Sequence, residues 1–383
     1  MIETCLETKL LDLHADKSCY ILTGNIDKVK LLHNQINQNA ITLYGKPLKE
    51  KQCEKYLGDM IHSEGNAASV AETVKTRSGK VASYIFEARA IIDDTRINTV
   101  GGLKAGLDMW EMAYLPSLLN NCQTWVQIED ATIDKLDDIQ NTMYRTLLST
   151  PKSTPWPALV WDLGGIKMKF RIMQKKLMFA NLVVNQKETS LAHQIAKIQD
   201  ELKLPGLISE CKQFITDLTL PNIFEEKIKK NVWKNMVKRA ILRENERELK
   251  EDMKKFRKLK ESEHTNEKFG IKNYIYELKT KEARALFKHR CKMTRYIKMN
   301  YKNEPKYSRS LWKCENCANI DSESHILWCK EYTELREGKN LKDNKDLAEY
   351  LQKVITLREK KEKKTQKTFS NSDRNDKTPT LVN

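Results

Sequence analysis

Apolar positions repeat at different periods along the chain. In residues 1–63, Leu6, Leu10 and Leu13 suggest a helical start. Two short β-like runs follow at 19–23 and 41–44, bounded by Gly24, Asn25 and the Gly45-Lys46-Pro47 turn. From Ser69 the spacing becomes helical: Val70, Val74, Arg77 and Val81 recur at threes and fours, and Ile85, Ala88 and Ile92 continue the series up to Asp93-Asp94. Further helical patterns cover 109–119 and the series Ile133, Leu136, Ile139, Met143 and Leu147, which together predict a helical bundle.

Prolines 151, 155 and 157 interrupt helical continuity across 150–157, and more helix is expected from Lys167. Residues 225–263 are mostly charged, with one narrow apolar stripe of Trp233, Met236, Val237, Ala240 and Ile241, as in a long and partly solvated helix. An amphipathic helix behind Asp343 or Asn344 carries Leu347, Tyr350, Leu351, Val354 and Ile355. After Arg358 almost nothing apolar remains, so 359–383 reads as a disordered tail.

Composition narrows the partner. The 383 residues carry 68 Lys and Arg against 52 Asp and Glu, a formal net charge of +16. An anionic partner is expected, and RNA or DNA rather than a membrane, because no apolar run approaches the ~18 residues of a span. No secretory signal is visible. Six of the nine cysteines, Cys5, Cys19, Cys53, Cys122, Cys211 and Cys291, are scattered without framework spacing, which fits a reducing, intracellular compartment, nucleus or cytoplasm.

The other three cluster. Cys314, Cys317, His325 and Cys329 form Cys-x2-Cys-x7-His-x3-Cys, a spacing that brings three thiolates and an imidazole onto one ion. A structural Zn2+ is expected, because four protein ligands leave no open position for a catalytic water. His325 and Cys329, four apart, are read on one helical face capped by Asp321 or Ser322 and stopped near Gly338. So short a loop is expected to depend on its metal for order.

Ahead of this cluster, Lys281, Arg284, Lys288, Arg290, Lys292, Arg295 and Lys298 face a single acid, Glu282, beside a stripe of Leu286, His289, Met293 and Ile297. With Tyr301, Tyr307, Trp312 and Lys313 following, this segment offers cations for phosphates and aromatics for bases. The competing reading is a solvated helical face.

Several motifs resemble one family. The run Ala15-Asp16-Lys17-Ser18-Cys19-Tyr20 is similar to the point in non-LTR retrotransposon reverse transcriptases where the palm sheet resumes after the catalytic aspartates. Glu54-Lys55-Tyr56-Leu57-Gly58-Asp59 looks like the Tyr-Leu-Gly hairpin between palm and thumb. Val100-Gly101-Gly102, Trp110-Glu111, Leu115-Pro116-Ser117-Leu118-Leu119 and Thr124-Trp125 resemble the thumb, and the Cys-Cys-His-Cys element is a family feature.

The resemblance implies a mainly α fold with a small α+β palm remnant at 1–63, a thumb-like helical bundle at 64–150 and a helical connecting region at 151–280. A basic helix and linker at 281–313, a zinc knuckle with following helices at 314–358 and the tail complete it. It also implies that Arg77 and Lys80 track nucleic acid, and that other copies of a retroelement ribonucleoprotein are partners.

The family's polymerase aspartates lie upstream of the Lys17-Ser18 segment. The chain is therefore read as an N-terminal truncation that neither binds Mg2+ nor polymerises. Asp93-Asp94 reads as a helix cap and Asp137-Asp138 as a solvated pair inside a helix. Two alternatives remain: a stand-alone nucleic-acid-binding module, and a zinc-stabilised protein-interaction module.

Overall fold

The computed structural model describes residues 14–24, 26–38, 40–92, 98–259, 267–294, 313–314 and 316–375. The helical start at Leu6–Leu13, the Asp93-Asp94 pair, Arg295, Lys298, Trp312 and the last eight positions lie outside them. Helices dominate, with a few small sheets. Contacts gather into two units, each built from three stretches of chain: Met1–Tyr84, Ala113–Gln140 and Ile166–Asn245 in the first, Ile85–Met112, Asn141–Gly165 and Glu246–Asn383 in the second.

In the first unit, the expected β runs form two-stranded pairs. Cys19–Tyr20 runs parallel to Lys49–Glu50, and Thr42–Leu43 antiparallel to Lys46–Pro47. The strands Cys53–Tyr56 and Asp59–His62 form a hairpin with Tyr56 opposite Asp59. Its two turn residues, Leu57 and Gly58, both take positive φ (48° and 94°), the twist that tight hairpins prefer and that glycine adopts without strain. The hairpin is stitched to the helix Asn66–Ile92: Thr73 accepts the Met60 amide at 2.7 Å and Ser69 the His62 amide at 2.8 Å.

The charged region 225–263 resolves into the helix Lys230–Lys255. Its apolar stripe is core: Trp233, Val237, Ala240 and Ile241 pack with Phe170, Leu177, Cys211 and Ile215 from the helices Met168–Val184 and Leu207–Asp217. The Trp233 indole donates to the Leu177 carbonyl at 2.9 Å, so this buried ring has no unsatisfied N–H. Lys176, fully buried, is paired with Glu210.

Asp137 departs from the expectation. The carboxylate accepts the Met168 amide at 2.9 Å, capping the first turn of Met168–Val184, while Asp138 is exposed. Periodicity placed both on a polar face; it could not foresee that another helix begins against one of them.

In the second unit, the proline-rich stretch leads into the buried helix Trp156–Asp162, which has a proline in its first turn. Trp161 meets Phe269 edge-on at 5.4 Å and Trp110 meets Tyr144 at 6.4 Å. Gly165 lies so close to Tyr144 that a Cβ there would sit 2.7 Å from the phenol oxygen. The helix Thr280–Arg290 buries Ala283, Leu286 and Phe287 and packs on Asn344–Asn375.

That last helix corrects a second expectation, since it runs through Asn375 where a disordered tail was read. Lys and Glu are good helix formers, and the pairs Lys353–Glu349 and Lys363–Glu359 sit at i,i+4 spacing along its surface.

Candidate metal centre and its surroundings

The metal site starts from a tight turn. Cys314 and Ala318 are joined by an amide-to-carbonyl bond of 2.9 Å, the Cys314 amide returns to Asn319 at 2.7 Å, and Ala318 takes a positive φ of 57°. Lys313 and Ile320 then pair as a single antiparallel bridge. This folds Cys314 and Cys317 back onto one side. Opposite, Ser322 caps the helix Glu323–Trp328 by accepting the His325 amide at 3.1 Å. His325 lies on that helix, but Cys329 sits just past its end in extended backbone, so the two ligands do not share a helical face as the spacing suggested.

The ligand atoms converge. Cys314 Sγ and Cys329 Sγ are 3.8 Å apart, Cys317 Sγ and His325 Nε2 are 3.4 Å apart, and all four lie within 4.8 Å of one another. A tetrahedral zinc with Zn–S near 2.3 Å and Zn–N near 2.0 Å requires S···S of about 3.8 Å and S···N of about 3.5 Å. The residues fit the ion. This Cys3His cluster could hold zinc, and it is the one such group among the described residues.

No family model matches the chain, and no characterised protein or solved structure matches it significantly.

Electrostatics at the ligands are uneven. A backbone amide at Asn319 lowers the Cys317 thiol, and the Asn319 side-chain amide lies 3.6 Å from the same sulfur. Burial pushes the Cys329 thiol up to about 11, so a cation's charge is needed to hold it as thiolate.

The cluster is also docked, which the local sequence did not reveal. Asp321, 2% exposed, receives both terminal nitrogens of Arg358 at 2.8 Å from the C-terminal helix. The Arg358 Nε donates to the Tyr332 hydroxyl at 2.9 Å. Burial works against the Arg358 charge, yet Asp321 and Tyr332 hold its pKa above the ordinary guanidinium value. Arg336 donates to the Cys329 carbonyl at 2.7 Å, and the Tyr350 hydroxyl donates to the Ile326 carbonyl. From the other side, Glu323 accepts from the Thr294 amide at 2.9 Å and lies 2.9 Å from His289 Nδ1. The cap was read as Asp321 or Ser322; Ser322 takes that role and Asp321 is the anchor. Gly338 has φ +70° beyond the short helix Thr333–Arg336, so it ends a different element from the one read.

The predicted cations divide. Arg290 is only 6% exposed at its side chain: it chelates Glu267 with two 2.8 Å bonds and brings Nε to 3.3 Å from the fully buried Asp162. Burial opposes its charge, but these two acids hold its pKa above the usual value. Tyr274 donates to the same Asp162 at 2.7 Å. Arg284 donates its Nε to the Leu147 carbonyl at 2.7 Å.

Arg77 donates to the Asn120 and Gly58 carbonyls and pairs with Asp59 at 2.8 Å, holding the Tyr-Leu-Gly turn in place. Its guanidinium also lies over Trp125. Arg77 and Arg290 are thus interior ties rather than surface cations. Lys80 and Lys313 are exposed, and Lys288 and Lys292 are half-buried. Among the described residues, no helix is long and apolar enough to cross a membrane.

Proposed function

We propose that the chain is a zinc-stabilised nucleic-acid-binding polypeptide related to the C-terminal part of a non-LTR retrotransposon reverse transcriptase, holding RNA or DNA rather than copying it. The observation that carries this reading is the Cys314/Cys317/His325/Cys329 tetrahedron set in a strongly basic chain. Zn2+ at these four ligands would supply charge and cross-linking, with no open position for hydrolysis. The resemblance draws support from the Tyr56-Leu57-Gly58 segment, which forms a hairpin turn tied by Arg77 to a long helix.

Of the residues first read as contacts, Lys80, Lys288, Lys292 and Lys313 are retained with Arg295, Lys298 and Trp312; Arg77, Arg284 and Arg290 act instead in packing. Other copies of a retroelement ribonucleoprotein remain proposed partners within an intracellular setting.

Fluorescence anisotropy with short RNA and DNA oligonucleotides tests the reading. Affinity should fall steeply between low and moderate salt, and also with chelator or in Cys317→Ser. Absence of binding at low salt refutes it. A primer-extension assay should show no synthesis; template-dependent extension would refute the non-copying part.

A further inference from the structure

The helix Lys230–Lys255 changes character along its length. Beyond Glu244 its cations are answered by acids one turn away: Lys250 pairs with Glu246, and Arg247 with Glu251. That half is an ordinary solvated face. Between Glu226 and Glu244, however, every charged residue is Lys or Arg. Lys230, Lys234, Lys238 and Arg239 are all exposed. Among the described residues, none of these four side chains has a hydrogen-bond, ion-pair or ring partner.

The core fixes which way the cations face. Trp233, Val237, Ala240 and Ile241 pack against the helices Met168–Val184 and Leu207–Asp217. The solvent side of the same turns therefore carries Lys234, Lys238 and Arg239, with Asn231 and Asn235 exposed among them. Lys230, Lys234 and Lys238 stand at i,i+4 spacing, a row with an axial rise of about 6 Å from one to the next. Like charges at that spacing oppose helix formation, so the row works against folding.

The chemistry of the face selects its partner. A regular row of cations with no acid to answer it calls for an equally regular polyanion, and the step is close to that between phosphates along a strand. Trp233 is fully buried and Val232 is the one large hydrophobic exposed on this stretch, so bases find no ring to stack on and a membrane finds no apolar face to bury. A duplex turns its bases inward and presents one phosphate charge per roughly 1.7 Å of its axis.

Resting on the nucleic-acid reading above, we propose that this helix face is a separate binding site that tracks the phosphate backbone of a nucleic-acid duplex. Lys230, Lys234 and Lys238 contact successive phosphates, and Arg239 adds a cation beside them. The row belongs to the first unit, whereas Cys314, Cys317, His325 and Cys329 belong to the second, so the site acts without zinc. Contacts to phosphate alone carry no base code, and binding here is independent of sequence.

The test follows anisotropy of a labelled 12-base-pair DNA duplex and of dT12 against salt concentration, on the full chain and on Lys230→Gln/Lys234→Gln/Lys238→Gln. For duplex, the log-log salt slope should become shallower by about three and affinity near 0.1 M salt should fall about tenfold or more, with a smaller change for dT12. The difference in slope should persist after zinc is removed by chelator. Because the substitutions relieve like-charge neighbours, the melting temperature should hold or rise. Lys51→Gln/Lys75→Gln/Lys197→Gln takes the same charge from exposed ion pairs of the first unit and should leave the slope within about one of native. Should the first variant melt early, acetylation of the native chain provides the answer: duplex should protect Lys234 and Lys238. An unchanged slope, an equal loss for dT12 or in the second variant, a difference that vanishes with chelator, or no protection of these lysines overturns the site while leaving nucleic-acid binding standing. So does stronger competition by polyglutamate or phosphatidylserine vesicles than by duplex. Failure of the native chain to bind either oligonucleotide at low salt overturns the underlying function instead.

Discussion

Replacing Arg358 with methionine removes the arm that holds the metal module to the C-terminal helix. Arg358→Met leaves Asp321, 2% exposed, with its carboxylate buried and both charge-assisted bonds gone. It also deprives the Tyr332 hydroxyl of the Nε–H donor at 2.9 Å. Removing one member of a buried pair costs about 3–5 kcal/mol. Because the Arg358 side chain remains 11% exposed, the lower end, ~3 kcal/mol, is the appropriate figure. If docking and ligand convergence are one cooperative event, that energy is lost from metal binding, and zinc affinity should fall about 100-fold. Titration against a competing chelator at neutral pH reads the change directly. The double variant Arg358→Met/Asp321→Leu, which replaces both charges with apolar groups, should recover most of the loss. A zinc affinity for Arg358→Met within threefold of native would refute the coupling.

Two further outcomes separate packing from surface roles. Arg290→Met should lower stability by about 3–5 kcal/mol, because the buried Asp162 carboxylate loses its cationic partner, and should leave the salt dependence of nucleic-acid binding unchanged; Lys80→Ala and Lys313→Ala should each change the salt slope by about one with little effect on Tm. An unaltered melting temperature in Arg290→Met would count against its interior role. Asp137 tests the pH behaviour: burial pushes its carboxyl up to about 6 from 3.8, against the pull of the Met168 amide. The folded state therefore holds this proton more tightly than the unfolded chain does, so stability should fall as pH rises from about 4 to about 6 and then level off. Asp137→Asn keeps an acceptor oxygen and should remove that fall, gaining on the order of 2 kcal/mol near neutral pH. Urea denaturation across this range checks it, and an advantage that shrinks with rising pH would sink the assignment.

The parts legible in the sequence are those whose partners are close along the chain. Cys314, Cys317, His325 and Cys329 fall within one short segment, so ligand chemistry alone identified the cluster. The stripe from Trp233 to Ile241 was visible because a helix buries one side at a fixed period. Charge misled where burial depended on distant residues. Arg290 read as a phosphate contact because Asp162, its buried partner, is contributed by a helix far earlier in the chain, and Arg77 read as a nucleic-acid contact because the carbonyls it holds belong to Gly58 and Asn120. Arg358, near the end of the predicted amphipathic helix, carried no sign that it anchors Asp321.

The order in which residues leave the ribosome gives Trp161 a particular history. Its edge-on partner Phe269 and the Arg290 that pairs with neighbouring Asp162 are both encoded much later. At about 5–20 residues per second of synthesis, the indole waits roughly 5–20 s for Phe269. The first unit, by contrast, has all of its residues once Asn245 is made. At that point Trp161 still lacks Phe269 and Asp162 still lacks Arg290, a window in which chaperone capture or aggregation competes with folding.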